Sequence, residues 1–328
     1  MSPAAREIAV ATRIWARPAF WILLALAAVP LAAKLGAETY ILSLATRAVI
    51  FSIAALSLDF IVGQGSLVSL GHAAFLGIGA YAVVILSGLG HDEIAVQIPA
   101  AIAAAVLVAL ATSAISLRAS GVYYIMSTLA FGQMLYFFFV SLSALGGDDG
   151  VTLDARSRLF GTSALNNDVV LYYFALMILL GGYLLLRRIV GSRFGRVLGA
   201  IRQNSLRARA IGFRPFGYKL VACAISAALC ATAGVLLANQ SEFVSPAFMT
   251  WQRSGELLVM VILGGAGSLW GAILGALALL MMEEFLSRFT EQGNLILGPA
   301  LVLGALMGRG GLAGGIDRLF PSPAVGVP

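Results

Sequence analysis

Charge is scarce in this chain of 328 residues: Asp, Glu, Lys and Arg make up 11% of it, against 60% hydrophobic residues and a mean hydropathy of +0.95. A soluble domain needs about a quarter of its residues charged to keep its surface solvated, so a water-soluble globular protein is excluded. Histidine and cysteine are scarcer still, at two each. His72 and His91, with Cys223 and Cys230, offer no ligand spacing for a metal. The cysteines stand seven apart in one apolar segment, too far along a straight helix to bridge, and read as buried small residues. Lysine occurs only at Lys34 and Lys219, and neither follows a glycine-rich turn, so the phosphate-binding loop of an ATPase is missing. An intramembrane hydrolase needs a nucleophile with a positioned base. His72 in "SLGHAAF" and the nearby serines are its nominal parts, but serine in a membrane helix ordinarily bonds backbone. No enzyme is expected, and no cofactor in this chain.

What the sequence has in abundance is glycine, at 37 residues, together with alanine and long apolar runs. Small residues let spanning helices approach closely where hydrophobic exclusion no longer drives association. A polytopic, all-α transmembrane bundle is the expected fold. A crossing takes about 20 apolar residues, and Lys and Arg collect on the cytoplasmic side. "FWILLALAAVPLAA" follows Arg6, Arg13 and Arg17 and reads as an outward span, with a cleaved signal peptide as the alternative. Segments 40–62 inward, 67–89 outward, 94–116 inward to Arg118 and 121–144 outward follow. A polar stretch over 145–168 lies outside, and 169–186 returns to the cytoplasm. Segment 219–238 leads out again, 255–288 divides at "GGAGSLWG", and 294–308 ends at Arg309. The expectation is about ten spans with both termini cytoplasmic. Residues 1–17 form a cytoplasmic segment, 18–308 the transmembrane domain and 309–328 a cytoplasmic tail. "GQGSL" at 63–67 and "GAGSL" at 265–269 echo one another as an internal repeat or as two glycine-softened turns.

The basic residues are concentrated. Arg187, Arg188, Arg193, Arg196, Arg202, Arg207, Arg209, Arg214 and Lys219, nine of the 21 Lys and Arg, fall in 187–219 without one acidic residue among them. Charge confined to loops and helix ends, with no aromatic platform, argues against nucleic acid. The positive-inside rule explains the sign but not the internal design. Asn204 or Ser205 can cap a helix start, "LRARAI" supplies about two turns, Gly212 is a natural stop and Pro215 forbids continuation. Phe194, Val197, Leu198 and Ile201 recur at helical spacing, so the preceding span is expected to continue past the bilayer. A surface helix on anionic lipid is the competing reading.

The stretch "GRVLGAIRQNSLRARAIGFRPFGYKLVACAISAALCATAGVL", with "LSLDFIVGQGSLVSLGHAAFLGIGAYA", "LRASGVYYIMSTLAFGQML", "GGDDG" and "VMVILGGAGSLWGAILGA", resembles the branched-chain amino acid permease family of bacterial ABC importers. It is similar to the one of the two paired permeases that carries the "GGxxG" external segment, and the similarity runs from about 40 to 308. The resemblance implies a permease subunit in the bacterial inner membrane. Its implied partners are a second permease, two ATPase subunits that use ATP and Mg, and a periplasmic binding protein. It makes 187–219 the cytoplasmic coupling loop, with Ser205, Leu206, Arg207, Arg209, Ile211 and Gly212 as the contact helix. The Glu that the wider importer class often has near the start of this motif is absent, which leaves Arg207 or Arg209 to make the charged contacts. Branched-chain amino acids, other amino acids, urea, amides or small carboxylates are all substrates of such proteins. An ion-coupled secondary transporter is the rival from another class.

Ionisable residues at membrane depth are costly and default to functional candidates. Arg47 and Asp59 lie twelve residues apart on one span, about 18 Å along a helix, so they do not pair. Asp59 reads as a solvated residue near the cytoplasmic end. His72 follows a glycine break, where backbone can unwind toward a cavity, or it is hydrogen-bonded in the bundle. Arg253 and Glu256 are expected to pair locally. For the substrate route the glycine-broken segments stand out, with Gly63, Gly65, Ser66 and His72 in one and Gly265, Gly267 and Ser268 in the other. The "GGDDG" region and the 239–253 loop are the surfaces open to a binding protein.

Overall fold

The computed structural model describes residues 22–23, 25–28, 30, 39–287, 298 and 311–319. Its helices are α1 (Thr39–Gly65), α2 (Ala73–Gly88), α3 (Ile94–Ser116), α4 (Val122–Ser141), α5 (Asp168–Gly191), α6 (Arg193–Gln203), α7 (Ser205–Ala210), α8 (Pro215–Ser241), α9 (Trp251–Gly264), α10 (Leu269–Ser287) and α11 (Gly311–Leu319). Two-residue strands β1 (Val151–Thr152) and β2 (Phe243–Val244) pair antiparallel.

The bundle is built around α1 and α8. Both are apolar on all faces, and Ala48 to Leu58 of α1 and Ala231 to Ala238 of α8 are almost wholly inaccessible. Helix α8 packs on α1, α2 and α3, while α1 also meets α5, α9 and α10. Polar residues inside α1 return their hydroxyls to its own backbone: Thr46 to the Leu42 carbonyl (2.8 Å), Ser52 to Ala48 (2.7 Å) and Ser57 to Ala54 (2.7 Å). Where no water is present, this is how a hydroxyl stays satisfied. Glycine sets the closest crossings. A Cβ on Gly79 of α2 would overlap the Ala231 carbonyl, and one on Gly234 of α8 would overlap that of Leu76. The same holds where α9 meets α10, at Gly264 against Gly271 and Gly275 against Met260.

Six helices are long and apolar enough to cross a membrane: α1 from Tyr40, α3, α4, α5, α8 and α10. Helix α2 is apolar but has only 16 residues, because the expected span 67–89 starts late: residues 66–72 are not helical, and Ser66 takes a left-handed φ of 51°. The 255–288 segment divides as expected, into α9 and α10, at residues 265–268. The expected first span, 20–33, is described only at 22–23, 25–28 and 30, and the expected last span, 294–308, only at 298. One expectation fails. The helix before the basic segment does not run on, since α5 stops at Gly191 and Ser192, in extended backbone (ψ 175°), caps a new helix.

Candidate functional site

The basic segment folds into two helices. Ser192 starts α6 by accepting from the Gly195 amide (3.4 Å). Leu198 and Ile201 are buried, and Phe194 stacks on Tyr218 of α8 with ring centroids 5.5 Å apart. The apolar face of α6 is thereby turned to α1, α5 and α8 rather than to lipid, while Arg193, Arg196 and Arg202 are exposed. Asn204 then caps α7, its Oδ1 accepting from the Arg207 amide at 2.9 Å. Gly212 ends the turn at φ 94°, a conformation in which glycine alone is unstrained, and donates to the Arg209 carbonyl (2.9 Å). Only Ala208 of α7 is buried. Leu206 is 73% and Ile211 66% exposed, with Arg207, Arg209 and Gly212 exposed beside them and Ser205 half-buried. The segment is thus a six-residue helix capped at its start and stopped by glycine, with two aliphatic and two cationic side chains exposed on it and just past its end.

The two glycine breaks meet. Gly63, near the end of α1, lies so close to Gly267 that a Cβ on it would overlap the Gly267 backbone. Gly267 has φ 91° and donates its amide to Asp59 Oδ1 at 2.6 Å. Asp59 is therefore not solvated. It is 1% exposed, and its carboxylate closes the 265–268 turn. Asp59 and Gly63, four apart, share one face of α1; that spacing was the available signal for their common role. The guanidinium of Arg202 reaches from α6 and donates to the Gly63 carbonyl. The Ser268 hydroxyl donates to the Gly265 carbonyl (3.0 Å), and the Ser268 backbone carbonyl accepts from the Gly271 amide (2.7 Å) at the start of α10. Gly65 is buried and Ser66 exposed, and a side chain at Gly65 would meet only Leu67.

His72 belongs to a second group and is wholly inaccessible. Its Nε2 lies 2.9 Å from Ser57 Oγ. That hydroxyl already donates to Ala54, so it accepts here, which places the imidazole proton on Nε2. The His72 carbonyl accepts from Cys230 Sγ (3.6 Å), and the next amide, Ala73, donates to Ser254 Oγ (3.0 Å). His72 thus fastens α1, α8 and α9 around the start of α2. With Ser69, Ser113, Tyr124, Thr128 and Cys223 it borders a cavity of about 30 Å³.

On the far side of the bundle, Arg156 donates to Asp168 (2.6 Å) and to Glu242 (2.8 Å), and the Val151–Val244 and Thr152–Phe243 pairs join the 145–168 loop to the 239–253 loop. The two surfaces expected to be open to a binding protein are thus one, with Asp148 and Asp149 exposed on it. Arg253 pairs with Glu256 at 2.6 Å, as the spacing predicts. Arg47 lies over the Phe51 ring, 5.7 Å from its centroid. A buried network of Gln97, Ser157 and Asn239 carried no signal in the sequence: Ser157 donates its amide to Asn239 Oδ1 (2.7 Å) and its hydroxyl to Gln97.

The profile described as "branched-chain amino acid transport system / permease component" matches residues 40–307. The chain is 31% identical over 286 residues to the Escherichia coli K12 high-affinity branched-chain amino acid transport system permease protein LivM, covering 79% of this chain and 67% of the relative. It is 26% identical over 254 residues to Pseudomonas aeruginosa BraD, a permease protein of the same description, covering 72% and 81%. It is also 26% identical over 181 residues to the autoinducer 2 import system permease protein LsrC of Yersinia enterocolitica, covering 52% and 48%. No solved structure matches significantly. Six helices of spanning length and this match together describe a multi-pass inner-membrane protein. The chain belongs to the family of branched-chain amino acid transport system permease components.

Proposed function

We propose that this chain forms one half of the membrane pathway of an ATP-driven importer for branched-chain or related amino acids. A second permease forms the other half, two ATPase subunits drive it using ATP and Mg, and a periplasmic binding protein feeds it. The relatives support the substrate class, since LivM and BraD are named for branched-chain amino acid transport. Urea, amides and small carboxylates remain within reach of the same pathway, and the LsrC likeness favours a wider range. The chain supplies no chemistry of its own; it alternates access as α7 is moved. Residues 187–219 face the cytoplasm and 145–168 the periplasm. Gly63, Gly65, Ser66, His72, Gly265, Gly267 and Ser268 mark the substrate route.

The observation that carries this reading is α7, with Leu206 and Ile211 exposed beside Arg207 and Arg209 on a capped helix. An ATPase cleft that buries those four side chains holds the chain by apolar contact and by charge. Co-purification of the ATPases with the Arg207→Ala, Arg209→Ala variant tests it. Seven basic residues remain in the segment, so orientation holds. Binding is expected to weaken by about 1–4 kcal/mol. Full association with full transport would overturn the role of α7, and ion-driven uptake by the lone subunit would overturn the ATP-driven reading.

A further inference from the structure

The Arg202 guanidinium, the Gly63 carbonyl, the Asp59 carboxylate and the Gly267 amide join three separate parts of the chain at one point. Arg202 belongs to α6, two residues before the cap of α7; Gly63 and Asp59 belong to α1; Gly267 belongs to the turn between α9 and α10. Nothing cushions this contact, since a Cβ on Gly63 would overlap Gly267, and one on Gly267 would lie 3.6 Å from Arg202 Nη1. Helix α11 closes the turn from another side, with Gly311 pressed against Gly265.

The bonding is incomplete in one respect. Asp59 Oδ1 takes the Gly267 amide, while Asp59 Oδ2, inaccessible to solvent, has no hydrogen-bond partner among the described residues. A buried carboxylate oxygen left bare is costly, so the fold holds an unused acceptor near a cation that is already bonded to Gly63, one turn further along the same helix face.

We propose that Arg202 and Asp59 are positioning residues for coupling, with Arg202 exchanging between two acceptors, the Gly63 carbonyl and Asp59 Oδ2, as α7 is moved. In the first position α6 is latched to the end of α1. In the second the guanidinium neutralises Asp59, releases the Gly63 carbonyl and shifts α6 toward the 265–268 turn. Two discrete acceptors give the element two states, which is what transmission through a packed bundle requires. Displacement of the surface helix is delivered at once to both glycine breaks. This rests on the coupling reading of α7, which the Arg207 and Arg209 variant tests separately by ATPase association.

The experiment uses the full complex reconstituted in liposomes and is scored as substrate moved per ATP hydrolysed, in complexes that retain their ATPases. Asp59→Asn keeps an acceptor for Gly267 and removes the charge; Arg202→Gln removes the cation; Arg202→Lys keeps the charge and a donor. The ratio should fall about two- to thirtyfold in Asp59→Asn and in Arg202→Gln, fall no further in the double variant, and recover in part in Arg202→Lys. An unchanged ratio in either single variant, or Arg202→Lys as poor as Arg202→Gln, would overturn the proposal. Spin labels at the exposed positions Ala200 and Ala266 provide a readout independent of transport. The distance between them should take two values in the native background as nucleotide binds and is hydrolysed, and one value in Arg202→Gln. The same two values in both backgrounds would also overturn it.

Discussion

At Gly79 and Gly234 the backbones of α2 and α8 meet without a side chain between them. Alanine at either position forces the helices apart, so Gly234→Ala should lower stability by about 1–3 kcal/mol. Gly181 of α5 has open space around its Cβ site, and Gly181→Ala should be neutral or stabilising by up to about 1 kcal/mol, because alanine loses less backbone entropy in a helix. Thermal unfolding of the two purified variants in detergent separates these outcomes; equal shifts would show that the crossing is looser than described. His72 offers a second contrast. Ser57→Ala removes the acceptor of its buried Nε2–H and should cost about 1–3 kcal/mol, whereas Ser127→Ala, which loses a half-buried hydroxyl contact to Ser116 at 2.7 Å, should cost less. The same melting experiment ranks them. Residue-level fate was only partly legible in the sequence. The two cysteines are buried, as a lone pair in an apolar segment implies. A place in the chain close to a helix end makes Asp59 look solvated, and what reverses that is a backbone amide supplied from more than two hundred residues away.

Among elements, legibility followed the length of the apolar run. Helix α3 spans Ile94–Ser116, the bounds its composition gives, and Asn204, Gly212 and Pro215 mark α7 and the start of α8 as capping chemistry requires. The Ser192 break was hidden because Phe194, Leu198 and Ile201, all beyond it, keep a helical spacing that says nothing of the residues before it. Periodicity reports that a helix exists, not whether its axis continues. Orientation is tested with Gly191→Cys and Thr162→Cys, both exposed positions, in a background lacking Cys223 and Cys230. An impermeant thiol reagent on intact spheroplasts should label position 162 and spare 191; the reverse would invert the topology. The joined loops give a further test. Arg156→Ala removes the link from the 145–168 loop to Glu242 and Asp168, so protease added to spheroplasts should cut within that loop several times faster than in Asp149→Ala, whose side chain is exposed. Equal rates would mean that the β1–β2 pairing alone holds the loop.

For the molecule as a whole, composition settled the class and the ordered motifs settled the family, while contacts between distant segments stayed out of sight. Gly63 and Gly267 look alike in sequence, and only the fold shows that they touch. The whole chain, reconstituted alone, should neither hydrolyse ATP nor accumulate leucine; accumulation driven by an ion gradient would assign it to another class of transporter. One feature of the far side ties the ends of two long helices together. Arg156 fastens Asp168, the first residue of α5, to Glu242, the last-turn cap of α8, and the β1–β2 ladder reinforces the joint. The opposite ends of these two long helices carry α6 and α7. Helices α5 and α8 are thus tied to each other at the end away from α6 and α7, so the spacing of that pair of helix ends is set by two ion pairs and a short ladder rather than by packing alone.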